Sequence, residues 1–215
     1  MVQPVPLPAW WRSSRYQRVA LAVLAALVLT GAYVAGWLTP RLGAPNDTSA
    51  EAGFARDMST HHAQAVEMAM FAYTNSADSE LRIIGYDMAL TQQNQIGTMQ
   101  TWLRTWKLQP TGSQARMAWM PGEVHLHADG TMPGMASTAQ LDQLRAATGT
   151  TFDVLFCQLM LRHHLGGIHM ADAVLQLSHD RQVVDLAAAI KRNQQGEVTL
   201  LQDKLNHLGA KPLIN

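Results

Sequence analysis

The sequence predicts an all-α protein in which an N-terminal transmembrane helix precedes a four-helix bundle made of two repeated helical hairpins joined by a long crossover. Three observations carry this. First, the pattern Phe54-x3-Met58-x2-His61-His62-x5-Met68-Ala69 returns as Phe156-x3-Met160-x2-His163-His164-x5-Met170-Ala171, every pair 102 positions apart. The offset holds further along, from Ser76 and Asp78 to Ser178 and Asp180, from Gln92 and Gln93 to Gln194 and Gln195, and from Leu103 to Leu205. An ungapped repeat of this kind makes each half one supersecondary unit. Second, apolar residues in both halves recur at helical spacing and no stretch alternates as a strand would. Third, Val19 to Leu38 is apolar and uncharged.

That run is about twenty residues, long enough to cross a bilayer as a helix. Arg12, Arg15 and Arg18 precede it and only Arg41 closely follows. The positive-inside rule therefore puts residues 1–18 in the cytoplasm and everything from Pro40 onward outside it. A cleaved signal peptide followed by secretion is the competing reading, but the run is long for such a segment and no clear A-x-A site follows. Residues 39–47, with Pro40, Gly43 and Pro45, form a spacer.

The duplicated bundle then occupies residues 48–208. Thr48-x-x-Glu51 is a capping-box pattern opening a first helix to about Tyr73. Asn75 to Ser79 turns the chain, and Leu81, Ile84, Met88, Ile96, Met99 and Leu103 mark a second helix to about Trp106. Thr150-x-x-Asp153 opens a third, Phe152 to about Leu177. Ser178 to Asp180 starts a fourth that Gly209 and Pro212 stop. The hairpins are thus 48–106 and 150–208, each with one apolar stripe, and packing on each other buries both. The crossover, 107–149, is too rich in proline and glycine for one helix, and only Ala139 to Ala147 reads as helical.

Composition removes several functions. Sixteen basic and sixteen acidic residues leave no net charge, so nucleic acid has no electrostatic footprint to bind. The single cysteine, Cys157, excludes an internal disulfide and a CxxC motif, and reads as an inert core thiol. Twelve methionines and nine histidines are the abundant functional side chains.

On a helix, Met58, His61, His62 and Met68 share one flank, and Met160, His163, His164 and Met170 repeat it. Adjacent histidines point about 100 degrees apart, so one of each pair is expected to face the bundle interior while its neighbour faces a groove or supports it from behind. A lone buried histidine is usually a hydrogen-bonded core residue and a methionine at helical spacing is usually packing. The conjunction argues for metal, because the repeat keeps Met, His-His and Met in register where packing alone tolerates leucine. Thioether and imidazole together suit Cu(I), whereas Cu(II) or Zn(II) would use the imidazoles alone. His169 stands where the first copy has Glu67 and is a further candidate ligand. In the crossover, Met117, Met120, His125, His127, Met132 and Met135 are spaced like flexible copper-capture motifs.

These motifs resemble the domain of unknown function 305 family. The doubled Met-x2-His-His segment, Phe152-Asp153-Val154-Leu155-Phe156, the glutamine-rich helices and Met132-Pro133-Gly134-Met135 carry the resemblance across Phe54 to Leu208. It implies a ferritin-like bundle in a secreted or membrane-anchored protein, with copper binding and tolerance in some members. Gln95 departs from it, since the second copy has the acidic Glu197 commonly found there. The expected function is Cu(I) binding or buffering outside the cytoplasm rather than catalysis, with a copper donor or acceptor protein and a homo-oligomer as open partners. A structural or partner-binding bundle without metal is the alternative. A copper-dependent oxidoreductase is a further one, and a di-iron oxidoreductase would need Glu-x2-His pairs, which do not occur.

Overall fold

A computed structural model describes residues 15–42, 44–122 and 124–213. Two compact units make up the chain, Met1–Ala44 and Pro45–Asn215. In the first, α1 (Arg15–Leu42) runs for 28 residues, and its segment Arg15–Trp37 is long and apolar enough to cross a membrane. The leucines and valines of that segment are solvent-exposed, as a helix needing an apolar surround would have them. Arg12 and the rest of the first fourteen residues lie outside the described residues.

The second unit contains α2 (Ala50–Asn75), α3 (Ser79–Thr105), α4 (Thr138–Ala146), α5 (Gly149–Leu177) and α6 (Arg181–His207). Among the described residues there is no strand. α2 packs on α3, α5 packs on α6, and α2 packs against α5. Met58 clusters with Met170 and Met68 with Met160, so α2 and α5 run antiparallel. Ser76, just past α2, donates to the buried Asp153 in the first turns of α5, which ties the same two ends together.

The two hairpin turns close alike. Asp78 Oδ1 accepts from the backbone of Glu80 and Leu81, and Asp180 Oδ1 accepts from Gln182 and Val183. Ser76 and Ser178 hydroxyls accept from the backbone of Asp78 and Asp180. These are N-cap bonds that satisfy otherwise orphaned donors of the first helical turn. Two helix starts differ from the sequence expectation. α2 is capped by Ser49, whose Oγ accepts from Ala52, because Thr48 instead bonds Asn46. α5 begins at Gly149, not at a Thr150 cap, and Asp153 is taken up by Ser76.

The long crossover is packed. Asp57, buried on α2, accepts from Met117 N and Trp119 Nε1, each at 2.8 Å. That bond holds Met117 at φ 63, a left-handed conformation costly for a side chain of this size. Trp119 lies on Gly53, where a Cβ would come within 2.4 Å of the indole. Gln64 clamps Ala136 with a bond in each direction, 2.7 and 2.9 Å, and the backbone of Pro133 and Gly134 rests on Gly166 of α5.

Helix contact sets one further requirement. A Cβ at Gly85 would stand 2.6 Å from the Ala69 carbonyl oxygen, whereas Gly97 has open space around it. Gly85→Ala is therefore expected to lower stability by about 1–3 kcal/mol through overpacking, and Gly97→Ala to raise it by up to about 1 kcal/mol through helix propensity. Denaturant unfolding of both variants checks this; equal shifts of one sign would refute the packing account.

Candidate metal centre

The repeated stripes of α2 and α5 meet at the histidines. His61, His62, His163 and His164 are all fully buried, so both members of each pair are interior. The His61 and His163 rings face each other with centroids 3.7 Å apart, tilted by 36°. Neither ring has a hydrogen-bond partner on either nitrogen. Their neighbours turn toward the outer helices, as the 100-degree step between adjacent residues requires.

There each meets a residue 33 positions on. His62 Nε2 is 2.7 Å from Gln95 Oε1, and His164 Nε2 is 2.6 Å from Glu197 Oε2. The second contact is an ion-pair distance whose angle falls short of a hydrogen bond. An oxygen at Nε2 keeps the proton there and leaves Nδ1 with its lone pair, and Nδ1 of both rings is buried and unpartnered. One half is backed by a neutral amide and the other by a carboxylate.

Gln92 on α3 and Gln194 on α6, each three residues before the partner of an outer histidine, are two further buried amides. Both are buried, and neither the amide oxygen nor the nitrogen of either has a partner. Gln194 packs on Gly167, where a Cβ would fall 2.4 Å from its Oε1. Each unsatisfied buried polar group costs about 1–3 kcal/mol. Buried polar side chains without partners in this number are unusual for a packed core.

The flanking thioethers are Met58, Met68, Met160 and Met170, all buried. Met58 and Met170 belong to a cluster that also holds Met99, Met117, Met120, Met132 and Met135, seven methionines in all. The crossover methionines are thus core residues pinned by Asp57 and Gln64, not a flexible tether. His125, His127 and His169 are exposed and do not share the centre. His169 lies on the outer face of α5, and its counterpart Glu67 pairs with Arg145 at 3.0 Å. Among the described residues, no three His, Cys, Asp or Glu side chains converge as a metal-holding group. Cys157 is buried outside the centre, its thiol pushed up to about 12 chiefly by burial. Sequence reasoning named Gln92, Gln194, Gln95 and Glu197 as parts of the repeat without assigning them to the centre. Their signal was the shared 102-residue offset and the common spacing from His62 and His164.

Fold and centre together define a helical bundle organised around buried imidazoles and amides flanked by thioethers. The chain belongs to the DUF305 family: the model described as domain of unknown function (DUF305) matches residues 51–205. A DUF305 crystal structure from Streptomyces coelicolor is 39% identical, covering 79% of this chain and 100% of that one, with a TM-score of 0.72. A DUF305 fragment from Deinococcus radiodurans is 29% identical, covering 77% and 99%, with a TM-score of 0.62. CopM in its Cu(I)-bound form shares the fold at 23% identity, covering 76% and 97%, with a TM-score of 0.57. No curated protein matches the chain.

Burial holds the rings of His61, His62 and His163 neutral. Desolvation lowers the pKa of His61 and His163 well below 6.5 and takes His62 to about 4, with neighbouring imidazoles adding to it. A base whose folded pKa lies below its unfolded value takes up protons first in the unfolded chain. Stability is then complete above pH 6.5 and falls as pH drops toward 4. We expect the chelator-treated chain to lose on the order of 3 kcal/mol from His62 alone across that interval. The carboxylates of Asp47, Asp78 and Asp129 are shifted downward by their hydrogen bonds, so their losses fall at lower pH. Calorimetry as a function of pH measures this, and a melting temperature flat between neutrality and pH 4.5 would contradict it.

Proposed function

We propose that the chain is an extracytoplasmic metal-binding protein, anchored by α1, that binds and buffers copper, with Cu(I) preferred. The observation that carries the reading is the set of buried, unpartnered ring nitrogens on His61, His62, His163 and His164 where α2 crosses α5. A bound metal removes the cost of those orphaned groups. The donors fit the ion: neutral imidazole and thioether are soft to borderline ligands, and among the described residues no group of three His, Cys, Asp or Glu side chains offers a harder ion its usual set. His61 and His163 are the central ligands in this reading, with Nδ1 of His62 and His164 and the sulfurs of Met58, Met68, Met160 and Met170 as the remaining donors. Gln95 and Glu197 orient the outer rings.

CopM, of the same fold, has been crystallised in Cu(I)-, Cu(II)- and Ag-bound forms. The Streptomyces coelicolor relative is provisionally described as secreted, in keeping with function outside the cytoplasm. The methionine cluster of α2, α5 and the crossover is a reservoir of further soft donors. The exposed His125, His127 and His169 are suited to passing copper to or from a partner protein or a second copy of the chain.

Anaerobic titration of the full-length chain with Cu(I), against a chromophoric chelator, tests the reading. Competition is expected, with stabilisation near 2.7 kcal/mol when free copper is about 100 times Kd, which for a chain of this size raises Tm by roughly 5–10 °C. Replacing His61 and His163 with leucine is expected to weaken copper binding by about 100-fold or more without loss of helix content. Unchanged copper stoichiometry after all four histidines are replaced would overturn the assignment and leave a structural bundle.

A further inference from the structure

Positions 102 residues apart in the two hairpins are equivalent, so the residues of each contact have counterpart positions that can be compared. Between the hairpins, the ammonium of Lys204, near the end of α6, stands 2.6 Å from Asp78 Oδ2 and 2.6 Å from Glu80 Oε2 at the start of α3. Asp78 caps α3 through Oδ1, and the cation takes its other oxygen. The counterparts of Lys204, Asp78 and Glu80 are Trp102, Asp180 and Gln182.

Asp180 caps α6 through Oδ1 as Asp78 caps α3. Its Oδ2 meets no cation among the described residues, because an indole stands at the lysine's position. The indole does not close the space. Trp102, Asp180 and Gln182 line an open groove of about 510 Å3 with Thr98, Thr101 and Trp106, away from the histidines. Trp102 and Trp106 stack with centroids 6.0 Å apart and planes at 24°.

We propose that this groove binds a primary alkylammonium group, the chemistry of a lysine side chain or a small free amine. The equivalent carboxylate, Asp78, is already satisfied by such a group across the hairpins. An ammonium brings three N–H donors, and the groove offers the Asp180 carboxylate, the Gln182 amide oxygen and threonine hydroxyls to accept them. Its alkyl stem is matched by the indoles, which also attract a cation. A divalent metal ion is a poorer fit, since one carboxylate falls far short of the six or more oxygens that calcium takes. The groove shares no residue with the metal centre, so this inference stands apart from the copper reading.

The test is an NMR titration of the isotope-labelled, full-length chain in detergent with n-butylammonium chloride, following the indole N–H signals. Saturable shifts confined to Trp102 and Trp106, with a millimolar Kd, are expected, while Trp119 stays unmoved. Asp180→Asn keeps a good N-cap and removes the charge, so it should weaken binding by about threefold to tenfold. Nα-acetyl-lysine amide binding more tightly than cadaverine supports the groove with a protein lysine as its source, and the reverse order supports it with a free amine. Absence of saturable shifts, equal shifts with n-butanol or sodium chloride, or unaltered affinity in Asp180→Asn would each overturn the proposal.

Discussion

Everything distinctive about this chain depends on the antiparallel contact of α2 with α5, which withdraws four imidazoles from water without giving their inner nitrogens a protein partner. Burial keeps the rings of His61, His62 and His163 neutral, and a neutral imidazole is a ligand where an imidazolium is not. Small residues on α5 admit its other neighbours. Gly167 leaves room for the Gln194 amide, and Gly166 receives the crossover backbone on another side of the same helix. Fully buried Phe54, Phe152 and Phe156 supply the apolar area that offsets so polar a centre.

The crossover extends that centre rather than merely linking two hairpins. Its attachment rests on a few polar bonds to α2 and α5: Asp57 to Met117 and Trp119, Gln64 to Ala136, and Arg162 to the Met135 carbonyl. Burial raises the Asp57 pKa, while the two N–H donors and nearby Arg116 and Arg56 oppose that shift. With these bonds in place, four loop methionines become part of the core beside Met58 and Met170. Soft sulfur is thereby concentrated on one side of the histidines, where Met68, Met88 and Met160 are the methionines of the other cluster.

The two halves share geometry and differ in chemistry. Gln95 backs one outer histidine and Glu197 the other. Asp57 has Leu159 as its counterpart, which is why the crossover is pinned to the first hairpin through that position. Lys204 and Trp102 occupy equivalent places with opposite demands on the facing carboxylate. A repeated unit supplies two equal scaffolds, and substitutions on one alone create charge and shape that a symmetric protein would lack.

The sequence by itself determined the helical class, the two hairpins and the pairing of Met with His-His, because these depend on local periodicity and on a repeat visible without coordinates. The family resemblance rested on the same residues and was sound. Tertiary structure decided which histidines share the centre. His169 sits close to His163 and His164 in sequence, yet helix geometry carries it to the opposite face. Tertiary structure also turned the crossover from an expected flexible segment into packed core, since Asp57 and Gln64 act across 60 and 72 residues. It moved the starts of α2 and α5, where Ser49 outcompeted Thr48 and Asp153 found Ser76. Contacts between residues distant in the chain leave no periodic trace, so a pattern legible along the sequence could name the donors but not the partners that orient or bury them.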